Sequence, residues 1–554
     1  MAQWIQVYDP AGFFPLSLLA AAGPVILLFA LIVVFRVRSH VAGPLLLLLT
    51  ITEALLVWRM PPDKALSSVS LGVILALFPV VYIVVGSLFI YNLVVESGLF
   101  AVVRRSLESL TPDRRLQALL VAYCFTAFLD STTGFLTPVT ISTSILAGLG
   151  FPALEAASLG LMGSSMPSAF GAMALSIVVL SQVSGLPMDA VGIASGRQMP
   201  VASLVLPFVM LAGMTGGLAS LRGVWIHAVA TGATYAAVLF LFSNYVSCYP
   251  ASLVSAIAAF VALGLMIRML PPRAPGGRAP LVAAPVAAPV DSAARRAPAA
   301  GSGGTLLVLK AWTPFILLTL VALAWSLPPV QRVLDRATVV VPVSSLHRLV
   351  LRVPPATPAA QAMDAAVNFN WLSSSGTAIL VAAIISVAVL HTPAGVAMKV
   401  FMATLRQVRL PVLTMVTMFG AAYLMNYSGM STTLALAVSR SGVFFPFLSP
   451  ILGWLGAIMI GSNTACDAWF GSLQAVTAAR VGVPPVLAVA ANGTAAVFGK
   501  IISPHFLAVA AGVAGIPGEE SAVFRRVFGF SLGFASLIGV ICMIQAYVFP
   551  GMIP

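Results

Sequence analysis

Asp130-Ser131-Thr132-Thr133-Gly134-Phe135 is a polar, turn-prone stretch inside otherwise apolar sequence, and Ser462-Asn463-Thr464-Ala465-Cys466-Asp467 echoes it in the second half of the chain. Beyond the first lies Ser164-Ser165-Met166-Pro167-Ser168-Ala169-Phe170-Gly171. At the matching place beyond the second lies Asn492-Gly493-Thr494-Ala495-Ala496-Val497-Phe498-Gly499. Uncharged polar groups at membrane depth, in two related halves, are how many secondary transporters build a substrate site at the bilayer midplane. The pairing predicts a carrier built from a repeat. An offset of 332 residues lays Ser462-Asn463-Thr464 on Asp130-Ser131-Thr132 and Gly482-Val483-Pro484 on Gly150-Phe151-Pro152. An offset of 328 lays Asn492–Gly499 on Ser164–Gly171, which reads as a one-turn deletion in the second copy.

Composition places this repeat in a membrane. Of 554 residues, 60% are hydrophobic and 8% charged, and the mean hydropathy is +1.05. Soluble chains carry roughly 25% charged residues. Runs such as 16–35, 41–58, 71–95 and 306–324 have about the ~20 residues that cross a bilayer, and about 12 to 14 such segments are countable. The fold expected is all-α: a polytopic membrane protein in two related halves, with broken helices or re-entrant hairpins. The first half spans 1–270, and 271–304, rich in Pro, Ala and Arg, is a flexible cytoplasmic linker that cannot bury a core. The second half spans 305–554. A further non-spanning region, 328–370, is expected on the outer face.

The net charge of +13 sits in loops and reads as topology rather than as a nucleic-acid surface, because basic residues stay on the cytoplasmic side. Arg36, Arg38, Arg104, Arg105, Arg114 and Arg115, the linker arginines, and Lys399, Arg406 and Arg409 agree on an amino terminus outside; Arg332, Arg336, Arg348 and Arg352 run against that trend. Met1–Pro15 has no Lys or Arg, so the first apolar run is read as a retained span. Cys124, Cys248, Cys466 and Cys542 are scattered with no metal or disulfide spacing. No metal or cofactor is expected. A Walker-type Gly-Lys-Ser/Thr is absent from the sequence.

Gly and Pro interrupt the apolar runs at Pro138, Pro152, Pro167 and Pro504, and freed backbone at that depth must be buried in protein or line a watered cavity. Intramembrane carboxylates are costly unless protonated or paired, so Asp130 and Asp467 are the proton-coupling candidates. Helix-capping is the structural alternative for both. The substrate-binding candidates are Ser131, Thr132, Thr133, Ser164, Ser165, Ser462, Asn463, Thr464, Asn492 and Thr494, with Lys500 as the cation that meets an anion. Glu53 and Glu155 read as structural, and Arg197 and His505 as weaker versions of Lys500.

With these residues in view the chain resembles the lactate permease family almost end to end. The resemblance is carried by Tyr8-Asp9-Pro10-Ala11-Gly12, Leu110–Gln117, Ala169-Phe170-Gly171-Ala172-Met173 and Lys310–Phe315. It continues through Ser375–Leu380, Asn426–Ala435, Ser449–Gly456, Gly499–Pro504 and Ile544–Val548. The resemblance implies a bacterial inner-membrane carrier that takes up L-lactate, and often D-lactate or glycolate, with a proton. Departures fall in the repeat motifs. Where the family has Glu-Gly-Ala-Ala-Gly-Phe-Gly-Ala-Pro, this chain has Asp130–Pro138, and Asn-Thr-Ala-Pro becomes Ser164–Pro167. Gly-Ser-Asp-Thr-Ser-Ser-Asn becomes Gly461–Asp467, and Asn-Thr-Thr-Gly-Gly becomes Asn492–Ala496. The expected function is uptake of a small organic anion, L-lactate or a related 2-hydroxy monocarboxylate, with a proton and with no nucleic-acid partner. A different carboxylate, sodium coupling and an uncoupled channel stay open, and no nucleophile–base or metal constellation suggests an enzyme.

Overall fold

A computed structural model describes residues 3–35, 37–134, 136–214, 217–271 and 305–554; the 271–304 linker reading lies almost wholly outside them. Among the described residues the regular secondary structure is helical apart from five short strands. In order, the helices used below are α1 (Phe14–Phe29), α2 (Ser39–Leu56), α3 (Pro62–Glu96), α4 (Leu99–Glu108), α5 (114–132), α6 (Thr137–Gly148), α7 (Ala153–Ala169), α8 (Gly171–Ser184), α9 (Met188–Ala212), α10 (Trp225–Tyr245) and α11 (Ala251–Met269). They continue with α12 (Leu306–Ser326), α13 (Ser375–Val389), α14 (Ala394–Ser428), α15 (Met430–Val438), α16 (Phe445–Ile460), α17 (Asn463–Arg480), α18 (Pro485–Lys500), α19 (Pro504–Val513) and α20 (Glu520–Tyr547). Among the described residues ten helices are long and apolar enough to cross a membrane, or twelve if each of two bent pairs is one span. Twelve is the low end of the expected 12 to 14 and ten falls below it, because several apolar runs are short pieces on either side of a break.

The strands lie in 328–370, together with the amino terminus. β1 (Trp4–Ile5) pairs in parallel with β3 (Val350–Arg352), which pairs with β4 (Gln361–Ala362); β2 (Val339–Pro342) pairs antiparallel with β5 (Ala366–Phe369). These two small sheets mark one face of the molecule.

The duplication is larger than the quoted motifs. α3 and α14 are both 35 residues long, and Pro62 and Ala394 stand 332 apart, as do the helix starts Ala153 and Pro485, and Met188 and Glu520. α7 and α18 follow the same turn, in which Gly150 and Gly482 adopt φ of +80° and +76°, a conformation open to glycine at no steric cost. Each helix then begins after a proline, Pro152 or Pro484. The single 332-residue offset therefore holds to the ends of α7 and α18. No turn is missing from α18, so the one-turn deletion inferred for Asn492–Gly499 is not present in the backbone.

The equivalent helices run in opposite directions. Gly72 of α3 lies against Phe419 of α14, whereas Asn92 donates to Thr404 Oγ1 over 2.9 Å. Equally, Arg197 in the first half of α9 donates to Met552 O, beyond the end of α20, over 2.7 Å, and Arg526 near the start of α20 donates to Gly213 O, just past the end of α9, over 2.6 Å. The two copies are inverted relative to each other. They also interleave: α8 packs on α17, and α19 on α6. Both copies break at the same place, α7 meeting α8 at 51° and α18 meeting α19 at 42°.

Candidate functional site

Three helix ends converge on Asp130. It sits in the last turn of α5, where the helix dipole disfavours an anion, so its stabilisation comes from elsewhere. Lys500, the final residue of α18, places Nζ 3.6 Å from Asp130 Oδ1 and over the Phe506 ring at 5.4 Å. Lys500 Nζ also donates to Ser168 Oγ, and Ser168 Oγ donates to Asp130 Oδ2. The carboxylate and the ammonium are 1% and 4% exposed, and Asp130 Oδ1 has no hydrogen-bond partner. Ser168 and Lys500 are themselves 332 residues apart. Equivalent residues of the two inverted copies thus touch each other, which puts this cluster on the axis relating them.

The backbone around the cluster is held in unusual shapes. Asp130 precedes the break at Gly134, φ +61°. Across from it, Ala172, Met173 and Ala174 take φ of 44°, 58° and 62°, a left-handed turn that costs roughly 1–2 kcal/mol per residue. Strain of this kind persists where surrounding structure over-determines it, commonly at functional sites. Gly171 opens that turn because a Cβ there lies 2.7 Å from Asp130 Oδ2. Gly171→Ala is expected to displace the carboxylate from Ser168 and cut transport at least tenfold while the protein stays folded. Uptake assays alongside thermal unfolding in detergent check this, and full activity in the variant refutes the steric reading.

Asp130, Ser168 and Lys500 form the inner end of a cavity of about 1300 Å³, which runs out to exposed Arg38, Leu410, Ser521 and Arg525. Fitted small-molecule pockets hold roughly 300–1,000 Å³, so this is a vestibule with a site at its base. Leu175, Met418, Ile502 and Phe506 give it apolar walls, and Ser176, Ser462, Asn463 and Thr464 supply polar groups. Ser462 caps α17 by accepting from Ala465 N at 3.3 Å, so the N-terminus of an 18-residue helix faces the wall with its positive dipole end.

Behind that wall lies the second carboxylate. Asp467 Oδ1 accepts from Asn492 Nδ2 at 2.8 Å, and Oδ2 accepts from Ser176 Oγ. Ser176 in turn accepts from Asn463 Nδ2 at 2.8 Å.

Of the residues singled out in the sequence, Asp130, Lys500, Ser462, Asn463, Thr464 and the weaker candidate His505 come together on the cavity. Ser131, Thr132, Thr133, Ser164, Ser165, Asn492 and Thr494 do not line it. The five hydroxyls in 131–165 donate back to carbonyls of their own helices, the usual arrangement for a buried Ser or Thr in a helix. Thr494 bonds Gln198 Oε1 at 2.8 Å. Glu53 packs against Gly23 of α1. Ser168, Ser176 and Gly171 were not picked out. Ser168 was hidden by the 328-residue register, which lays Lys500 on Ala172 rather than on Ser168, and Ser176 gives no sequence signal.

Inverted repeats, two broken helix pairs, and a buried ion pair at the base of a vestibule define a multi-pass membrane transporter, not an enzyme. The sequence profile of the family described as L-lactate permease matches residues 17–549. The chain belongs to that family. It is 38% identical to the glycolate permease GlcA of Escherichia coli strain K12 over 559 residues, with 100% of both chains covered. The L-lactate permease of Salmonella typhimurium is 38% identical over 563 residues, again with 100% of both covered. The L-lactate permease of Bacillus subtilis strain 168 is 37% identical over 571 residues, at 100% of both.

Proposed function

We propose that this chain is a symporter that carries a small 2-hydroxy monocarboxylate, L-lactate or glycolate, with one proton across the bacterial inner membrane. The Asp130–Lys500 pair carries the reading. In the buried pair the charges balance, and adding a substrate carboxylate alone leaves one negative charge uncompensated in a low-dielectric site. Uncompensated buried charge costs several kcal/mol. A proton on Asp130 restores the balance: it neutralises the acid and frees Lys500 to hold the substrate carboxylate. Asp130 Oδ1, without a hydrogen-bond partner, is the atom assigned to that proton. Both oxygens of Asp467 are already engaged, so the geometry favours Asp130 over Asp467 as the coupling acid. Ser462, Thr464 and the start of α17 complete the carboxylate site.

Arg525, which shares the cavity mouth with Arg38, adjoins the turn where Arg104 lies against Gly148 and Arg114 against Gly150, since Arg526 reaches Glu155 just beyond it at 3.8 Å. Positive residues mark the cytoplasmic side. The vestibule therefore faces the cytoplasm, and the sheets and amino terminus lie outside. The halves 1–270 and 305–554 are joined in sequence through 271–304.

Purified protein in liposomes tests this directly. An inward proton gradient is expected to drive accumulation of labelled L-lactate or glycolate, and an imposed potassium–valinomycin potential is expected to add nothing, because one proton and one monoanion cross together. Accumulation driven by sodium instead, or downhill flux indifferent to the proton gradient, overturns the assignment in favour of a sodium carrier or a channel.

A further inference from the structure

We propose that Asn463 selects substrates that carry a hydroxyl donor beside the carboxylate, admitting 2-hydroxy acids ahead of 2-keto or unsubstituted ones. This rests on the reading of the cavity as a small-carboxylate site. Asn463 lines the cavity, is 7% exposed, and its Oδ1 has no hydrogen-bond partner. An amide can present either its oxygen or its NH₂ to a ligand, and its hydrogen-bonding neighbours decide which. In its ionised form, which the two donors Asn492 and Ser176 favour, Asp467 only accepts. It takes the single hydroxyl proton of Ser176 on Oδ2, and Asn492 occupies Oδ1. Ser176, its proton spent, has only lone pairs left to offer Asn463, so it must meet the NH₂ group, as the 2.8 Å contact records. The polarity of the chain running from Asn463 through Ser176 to Asp467 thus leaves the Asn463 oxygen over, and an unmatched buried acceptor favours a donor.

A hydroxyl on the carbon next to the substrate carboxylate is such a donor, and a keto oxygen or a methylene is not. Sites built to hydrogen-bond a substrate hydroxyl discriminate strongly against analogues lacking it. Ser176 acts as a positioning residue, because it touches the amide rather than the substrate.

The experiment measures inhibition of labelled L-lactate or glycolate uptake by L-lactate, pyruvate and propionate, using the full chain in liposomes. The wild type is expected to prefer lactate by at least about tenfold. Asn463→Leu is expected to bring the three inhibition constants to within a few-fold of one another. Ser176→Ala frees the amide to turn over and is expected to improve pyruvate relative to lactate, with Ser176→Thr restoring the original order. Should Asn463→Leu fail to fold, the two Ser176 variants carry the test. Uptake with an unchanged order of inhibitors in the variants, or with no preference in the wild type, overturns the role of Asn463 and leaves the transport reading standing. Absence of uptake for every acid by folded wild-type protein removes both.

Discussion

Lys500→Met abolishes uptake and exchange alike, whereas Asp130→Asn abolishes only proton-driven accumulation: that contrast is the largest functional effect expected here. Truncating Lys500 leaves Asp130 without its counter-charge at 1% exposure and removes the only cation among the buried cavity-lining residues described. Removing one partner of a buried pair costs about 3–5 kcal/mol, which corresponds to a loss of two to four powers of ten in affinity if it is expressed in binding. Asp130→Asn keeps the shape, keeps an acceptor for Ser168, and leaves Lys500 charged and available to an anion. Exchange of internal for external substrate should survive, while the accumulation ratio under a proton gradient falls to one. The double variant Asp130→Asn/Lys500→Met removes both charges and is expected to unfold at a temperature close to the wild type, yet to transport nothing. Counterflow and gradient-driven uptake in liposomes, with unfolding in detergent, separate the three cases. Proton-driven accumulation by Asp130→Asn refutes the coupling assignment.

Gly163→Ala is expected to be the most damaging methyl group to add at any of the described glycines. Its Cβ falls 1.6 Å from the carbonyl oxygen of Ala122, a backbone atom in the middle of α5 with no rotamer to escape into. Overpacking typically costs about 1–3 kcal/mol, occasionally more, and here two helices must separate for the methyl group to fit. Gly499→Ala, 2.1 Å from Trp454 O, repeats the experiment in the other copy. Close approach at small residues drives helix association in membranes, where no hydrophobic effect sorts helix from lipid. Gly529→Ala provides the contrast. Nothing lies within 4 Å of its Cβ, and Gly→Ala in a helix interior gains roughly 0.5–1 kcal/mol. Expression yield and unfolding temperature should fall sharply for the first two and hold or rise for the third; normal stability of Gly163→Ala would contradict the helix contact.

The membrane class and the duplication were legible because both rest on local signals: apolar run length, Gly-x-Pro turns and a polar motif said twice. Asp130 and Lys500 were legible for the same reason, as ionisable groups at membrane depth that need an explanation. The hydroxyls of Ser131, Thr132 and Thr133 misled, because a sequence does not tell whether a buried Ser or Thr donates to its own helix or outward. Ser176 was illegible. It sits in a run of aliphatic residues, and its importance comes from a pairing with Asp467 almost three hundred residues away. The inversion of the copies was equally out of reach, since direction in space is recorded in contacts such as Asn92 with Thr404 and not in spacing.

The 332-residue correspondence also describes a shape that this structure does not hold. The two copies are chemically similar but bent differently. α19 stands across the vestibule from Pro411, Thr414 and Met418 of α14, while its counterpart α8 packs against the second part of α3. Let the copies trade postures, and the molecule becomes its own upside-down twin. The wall now made by Pro411, Thr414 and Met418 passes to Pro79, Tyr82 and Gly86, and the rim at Arg38–His40 passes to 370–372, beside the sheets. Ser168 and Lys500 merely exchange places. A passenger held between them would stay where it is while the doorway moves from one side of the membrane to the other.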